Sequence, residues 1–382
     1  MRKLSLLLLV ILLLTSCNQS NVELYHKEEI NFVVDGLSEN SGHLRSFNVS
    51  TIKGEPVLHY VNTQDSSLVF YNMSGEKQVF PLKKVLKKPL LEPHNQWCVV
   101  NHDTIFAISR PEHKVYQFNV YDRITDSFNL YREKPTTSLP YVYISYLGHE
   151  MQYKNQRLFI PVTAKATCDS IKKQFYEPSG LIINTVNDSL SIYGRYSDTA
   201  FWTTMQFQNV YHNFCVNDST VVFSYPENGT LYQYNYKTGH YSVTEHSSRY
   251  IDSIKPIPDS AKDNFAFIKK YGKTEPRYLG LRYDSCNSIY YQAVKHRSEA
   301  IASPNSLHKA KIPRARNSLM ILDENLNLLD EIMLDTLVAA GWFISTKEGL
   351  LFGEPKPRLP SGKQGKRTDT LCFHVFETHI SR

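Results

Sequence analysis

Long helical periodicity is absent from this chain of 382 residues, and so are the short patterns that announce a chemistry. No GxSxG, P-loop or GxGxxG occurs, and His149-Glu150 lacks the second histidine of an HExxH helix. The six cysteines include no CxxC pair, so neither a zinc site nor a disulfide framework is indicated. Charge of one sign is lacking too. The 43 basic residues face 37 acidic ones, a formal +6, which is too mild to imply nucleic acid. One long apolar run exists, Leu4–Leu14, and it is too short to span a bilayer. Together these absences remove most enzyme classes that a sequence can announce.

That run is flanked by signals of its own. Arg2 and Lys3 form a basic n-region, and the run ends in Leu14-Thr15-Ser16-Cys17. This matches the bacterial lipobox: aliphatic, small, small, cysteine. By that resemblance residues 1–17 hold a lipoprotein signal peptide and its lipobox cysteine, Cys17, which carries acyl chains such as palmitate. Two or more chains give stable membrane anchoring where one does not. Residues 18–28 are polar and unpatterned and are expected to form a flexible tether; ten such residues reach at most about 35 Å. Asn18 is not the Asp that retains such proteins at the inner membrane, so the expected address is the outer membrane of the cell envelope. The remaining cysteines include Cys98 and Cys215, both inside apolar stretches where a thiol behaves as a small hydrophobe.

What is abundant is the aromatic β-former: 25 Tyr and 19 Phe. The clearest pattern is Val216–Val243, preceded by Tyr211–Val216. Apolar runs at Val221–Tyr225, Leu231–Tyr236 and His240–Val243 alternate with turns at Asn217-Asp218-Ser219, Pro226–Gly229 and Lys237-Thr238-Gly239. That is a four-stranded antiparallel meander. Poorer copies span Arg45–Leu82, Trp97–Tyr131, Met151–Gly194, Arg277–Asp335 and Gly341–His379. Their first turns fall at Gly54, Asp103, Asn155, Asp218, Asn287 and Glu348. The sixth copy has three clear strands, and Glu29–Val34 stands alone before the first. The expectation is an all-β, six-bladed β-propeller over residues 29–382, each blade a four-stranded antiparallel sheet, closed by the N-terminal strand pairing with Leu371–Thr378. Two stacked sandwiches, the competing all-β arrangement, explain neither the repeat nor the orphan strand. One helix is expected, Pro258–Tyr271, capped at Asp259 or Ser260.

The lipobox, the orphan strand and six Tyr/Phe-rich repeats together resemble the TolB-like six-bladed propeller lipoproteins of Bacteroidetes, many of them filed under domains of unknown function. The resemblance implies an envelope location and a propeller, and no established chemistry. Trp-Asp dipeptides, kelch double glycines, sialidase Asp boxes and quinoprotein tryptophan repeats are all missing.

Aligning the repeats places His43, His94, His149 and His212, then Arg277 and Trp342, just upstream of the first strand of successive blades. Equivalent positions in a ring converge on one channel mouth. A histidine ring there has the chemistry to hold a divalent metal or an anionic ligand; the competing reading is chance alignment of the 14 histidines. Longer loops on the same face carry Lys83, Lys84, Lys87, Lys88, Lys269, Lys270 and further cations, whereas Glu55, Asp103, Asp126, Asp188, Asp218, Glu324 and Glu348 lie at the opposite face. Tyr141, Tyr143, Tyr146, Phe201 and Trp202 add aromatic surface for a glycan or peptide.

The expected function is a non-enzymatic, membrane-anchored platform that binds a ligand, glycan, peptide or envelope protein and no nucleic acid, with no cofactor required. The alternative is a metal-dependent polysaccharide lyase or hydrolase using the histidine ring. The anchor is directly testable: Cys17→Ala should abolish acyl labelling and release the protein from membranes. Retention of that variant through high salt and carbonate washing would refute acylation at Cys17.

Overall fold

A computed structural model of the protein describes residues 21–35, 48–53, 55–62, 66–85, 97–109, 111–130, 141–143, 150–164, 179–194, 212–261, 264–298, 316–335, 338, 341, 343–354 and 368–381. The strands group into six antiparallel sheets. Blade one comprises β2 (Asn48–Ile52), β3 (Glu55–Asn62), β4 (Ser67–Asn72) and β5 (Lys77–Pro81). Blade two comprises β6 (Trp97–Asn101), β7 (Thr104–Ser109), β8 (Lys114–Asn119) and β9 (Arg123–Asn129). In blade three, β10 (Tyr141–Tyr143) and β11 (Gln152–Lys154) share one edge of β12 (Arg157–Ala164), followed by β13 (Gly180–Asn184) and β14 (Ser189–Tyr193). Blade four runs β15 (Asn213–Val216), β16 (Thr220–Ser224), β17 (Leu231–Asn235), β18 (Tyr241–Thr244). Blade five runs β19 (Arg277–Asp284), β20 (Ile289–Lys295), β21 (Asn317–Leu322), β22 (Leu328–Leu334). The sixth sheet has the order β1 (Asn21–Asp35), β25 (Thr368–Ser381), β24 (Gly349–Gly353), β23 (Phe343–Thr346). This is a six-bladed β-propeller.

Turn chemistry sets the strand boundaries within each blade. Asn217 Oδ1 accepts from the amides of Ser219 and Thr220, and Asn235 Oδ1 from those of Lys237 and Thr238. Asp284 and Asp323 do the same for the turns of blade five. Asn155 and Gln156 both sit at positive φ (49° and 57°), the conformation of a type I′ hairpin turn.

Between these turns the middle strands of the blades, such as β7 and β16, are buried on both faces, because each blade is sandwiched by two others. The core therefore divides by blade interface. Phe70 and Leu68 pack on Ile105 and Phe118 between blades one and two, and Ile108 and Val115 on Leu158 and Leu181 between two and three. Phe159 meets Phe223 between blades three and four, and Val222 meets Leu281 between four and five. Tyr291 and Leu319 meet Phe343 and Phe352 between five and six. The last interface joins Phe32, Leu371 and Phe373 to Leu58, Tyr60 and Val69 of blade one, so the ring is closed.

Closure uses the expected antiparallel pair of strands, with the partners of Glu29–Val34 running from His374 back to Asp369: Glu29 opposes His374, Phe32 opposes Leu371 and Val34 opposes Asp369. The strand is longer than expected. Residues 21–28, read from their polarity as part of a tether over 18–28, belong to β1, and Asn21 opposes Ser381. Their polar side chains are those of an outermost strand open to water: Glu23, Tyr25, His26, Lys27 and Glu28 are exposed while Val22 is buried. Gly349, at φ +125°, lets β24 lie against β25; a Cβ there would stand 2.2 Å from Phe376 O. The expected helix is also shifted. Asp259–Ala261 form a 3-10 turn, and α1 runs Phe265–Thr274 with Asn264 as its cap, accepting from Phe267 N at 3.1 Å. Among the described residues no helix is long and apolar enough to cross a membrane.

Phe32 is 1% exposed and meets Phe373 edge-on at 5.6 Å. Phe32→Ala should cost about 3–5 kcal/mol by urea unfolding. A loss below about 1 kcal/mol would mean that the closure strand contributes little to the fold.

Candidate functional site

The first strand of each blade faces the ring axis, and together these strands enclose a cavity of about 340 Å³. All six contribute to its wall, through Ser50 (β2), Cys98 (β6), Gln152 (β11), Cys215 (β15), Arg282 (β19) and Ser345 (β23). The cavity runs along the inner strands: Asn48 and Trp97 open β2 and β6, whereas Val216 ends β15 and Tyr283 and Ser345 stand one residue before the ends of β19 and β23.

One ion pair crosses the wall. Arg282 Nη2 lies 3.5 Å from Glu150 Oε2, with side-chain exposures of 13% and 22%. The guanidinium is held from behind: Nε donates to Phe343 O at 3.0 Å and Nη1 to Leu281 O at 2.9 Å, while its carbon sits 5.7 Å over the Phe343 ring. A cation of blade five is thus fixed by blade six and aimed at an anion of blade three. Gln152 acts as a bracket between blades three and four: its Oε1 accepts from Val216 N at 3.1 Å and its Nε2 donates to Phe214 O at 3.2 Å. The side-chain amide completes backbone groups that a neighbouring strand would otherwise satisfy.

The two thiols of the wall are detuned by burial. Desolvation pushes the Cys98 thiol up to about 12 and Cys215 higher still, so neither is a thiolate near neutral pH. Ser50 Oγ lies 2.8 Å from His59 Nε2, which has the outline of a nucleophile and its base. Burial holds His59 down at about 3, however, and an imidazole that resists protonation so strongly is a poor proton acceptor for a serine.

Of the residues aligned from sequence, His43, His94, His149 and Trp342 lie outside the described residues, as do Cys17, Tyr146, Phe201, Trp202, Lys87 and Lys88. His212 stands just before β15, whereas Arg277 is the first residue of β19 rather than upstream of it. Neither lines the cavity. His212 is 0% exposed, with Nε2 3.4 Å from Tyr193 Oη and its ring against Phe214, Phe223 and Tyr225. Arg277 is buried, its guanidinium 6.0 Å over the Tyr271 ring, and burial lowers its pKa against the opposing pull of Glu227 and Glu275. The acidic rim carries its own cations: Lys154 pairs with Asp218 at 2.8 Å and Lys347 with Glu55 at 2.7 Å, each across a blade boundary. Asp126 falls within β9 rather than at a turn.

Sequence reasoning passed over Glu150, Gln152 and Arg282. A usable signal existed for one of them: in RYLGLRYD, Arg282 is a cation in the strand interior, between apolar Leu281 and Tyr283.

These features define a six-bladed propeller whose axial cavity carries a half-buried arginine–glutamate pair. Residues 92–333 match the family described as a domain of unknown function, DUF4221, and the chain belongs to that family. A crystal structure of a DUF4221 member from Bacteroides vulgatus superposes with a TM-score of 0.66 at 17% identity, covering 95% of this chain and all (100%) of that one. A putative exported protein from Bacteroides fragilis gives 0.45 at 12% identity, covering 94% of this chain and 96% of its own. A calcium-binding regucalcin from Agrobacterium tumefaciens gives 0.41 at 11%, covering 90% and 95%. No curated protein matches the chain.

His59 makes stability pH-dependent. It is neutral when folded and titrates near 6.5 when unfolded, so its contribution is complete above pH 6.5 and is lost as pH falls toward about 3. Between pH 7 and 5 its share of the loss is about 2 kcal/mol. His59→Gln should flatten the urea-unfolding stability profile by that amount relative to wild type. Equal slopes in the two proteins would refute a buried neutral imidazole.

Proposed function

We propose that this protein is a membrane-anchored binding platform of the cell envelope, a TolB-like propeller lipoprotein held at the outer membrane through acylated Cys17. In this reading it receives a small polar ligand in its axial cavity. The observation that carries the ligand reading is the Arg282–Glu150 pair in a cavity walled by all six blades. At about 340 Å³ the cavity is at the lower end of the range for small-molecule sites, the size of an amino acid or an acidic sugar. Such a ligand offers what the pair recognises: a carboxylate for the fixed guanidinium, and an amine or hydroxyl for Glu150. Arg suits this task because its planar fork matches a carboxylate in two hydrogen bonds. The lipobox and the basic n-region support the anchor, and the poor basicity of His59 supports binding over catalysis.

Screening acidic sugars and amino acids by thermal shift tests the reading. A carboxylate ligand should raise the melting temperature of the wild type, and the shift should vanish in the double variant Arg282→Met/Glu150→Gln, which removes both charges together. A ligand whose shift survives in that variant would place the binding site elsewhere.

A further inference from the structure

A second cluster of chemistry-bearing side chains lies outside the channel, on the sheet that closes the ring. His26 Nε2 is 3.4 Å from His374 Nδ1, and His374 Nδ1 is 3.6 Å from Glu29 Oε1. One donor atom from each of the three residues falls within 4.8 Å of the others. In a tetrahedral site with metal–nitrogen and metal–oxygen bonds near 2.0–2.1 Å, neighbouring donors stand about 3.3–3.4 Å apart. The two measured edges already approach that spacing.

The backbone explains how these residues meet. His26 and Glu29 are three apart, and in a regular strand they would point to opposite faces. The register shifts between His26 and Glu28, leaving Lys27 as an extra residue. His26 therefore opposes Phe376 and Glu29 opposes His374, two positions on the same face of β25. The bulge thus brings both residues to the side of the sheet that holds His374.

His374 is oriented as a ligating histidine needs to be. Its Nε2 lies 3.2 Å from Glu354 Oε1, and Glu354 is docked beside it by its own backbone amide, which donates to Cys372 O at 2.9 Å. A proton on Nε2, given to Glu354, leaves the Nδ1 lone pair facing His26 and Glu29. This is the carboxylate–histidine arrangement that fixes the tautomer at metal sites. The Cys372 thiol reaches Glu29 Oε2 at 3.7 Å and steadies the third donor. Glu354, Cys372 and His374 form an overlapping group within 4.8 Å, on the buried side of the imidazole. His26 and Glu29 are exposed, so an ion can enter from their side.

We propose that His26, Glu29 and His374 bind a divalent transition metal of the zinc class, with Glu354 orienting His374, and that the ion staples the N-terminal strand to the last blade. Two imidazoles and one carboxylate suit zinc over magnesium or calcium, which take oxygen donors. The metal bridges β1 and β25, so only the closed ring presents the full site, and occupancy stabilises closure by mass action. The staple is independent of the ligand reading of the channel.

The test is titration of the chelator-treated full chain with zinc chloride, followed by calorimetry and thermal unfolding. Expected are one zinc per chain, a melting temperature raised by several degrees and reversed by EDTA, and no rise with magnesium. His26→Ala and Glu29→Gln, both at exposed positions, should each weaken zinc binding at least tenfold while leaving the metal-free melting temperature within about two degrees. Cys372→Ser should retain affinity within about threefold. Absence of stoichiometric zinc binding would overturn the proposal. So would zinc affinity that is unchanged in both His26→Ala and Glu29→Gln, or lost only in Cys372→Ser.

Discussion

The structure depends on the pairing of β1 with β25. Each blade is apolar on both faces and can bury them only between two neighbours, so no blade has a finished core alone. Six interfaces require a closed ring, and in the sixth Ile30 and Phe32 of β1 join Leu371 and Phe373 of β25 against Leu58 and Tyr60 of blade one. Joining chain ends more than three hundred residues apart is entropically unfavourable, yet the cost grows only with the logarithm of loop length. A register running unbroken but for one bulge, from Asn21–Ser381 to Asp35–Thr368, is long enough to offset it. The same pairing covers the edge of β25, which would otherwise template association with other chains.

What the sequence made legible was the punctuation. Turns such as Asn217–Ser219 and Lys237–Gly239 are specified locally, because an Asx side chain can accept amides two and three residues on. Local chemistry of that kind survives any tertiary context, so six first turns and the closing strand could be placed from residue types. The half of β1 before Glu28 was illegible for the opposite reason. An outermost strand is open to water, and Glu23, Tyr25 and Lys27 read like a linker once the partner Phe376–Ser381 is out of sight. The helix start moved for a similar cause: Asp259 and Ser260 have cap chemistry, but Asn264 makes the bond to Phe267 N.

The site divides along the same line. Aligning blades put His212 and Arg277 just upstream of their innermost strands; the ring places His212 there and Arg277 as the first residue of β19. Burial decided what they do: His212 is enclosed by Tyr193, Phe214, Phe223 and Tyr225, contributed by blades three and four together. No local pattern announces such a cage. The cavity pair was hidden further, since Glu150 and Arg282 are 132 residues apart and meet only when blades three and five face the same axis. Gln152 was hidden likewise, because its partners Phe214 and Val216 belong to the next blade.

Burial also limits what a propeller axis can do. The packing that stabilises the inner strands removes water from the groups on them, and titratable side chains are held in their neutral forms, His59 by a lowered pKa and Cys98 and Cys215 by raised ones. A lone charge in that environment would be neutralised or expelled. Arg282 escapes because it is satisfied on three sides, by Phe343 O, Leu281 O and Glu150. Two of those contacts are backbone carbonyls and fixed. The third is a carboxylate at 3.5 Å, long for a charged hydrogen bond and with some access to water. The guanidinium is therefore rigid in place but loosely held at one face, and a molecule entering the axis meets a positioned cation whose only exchangeable partner among these three is Glu150.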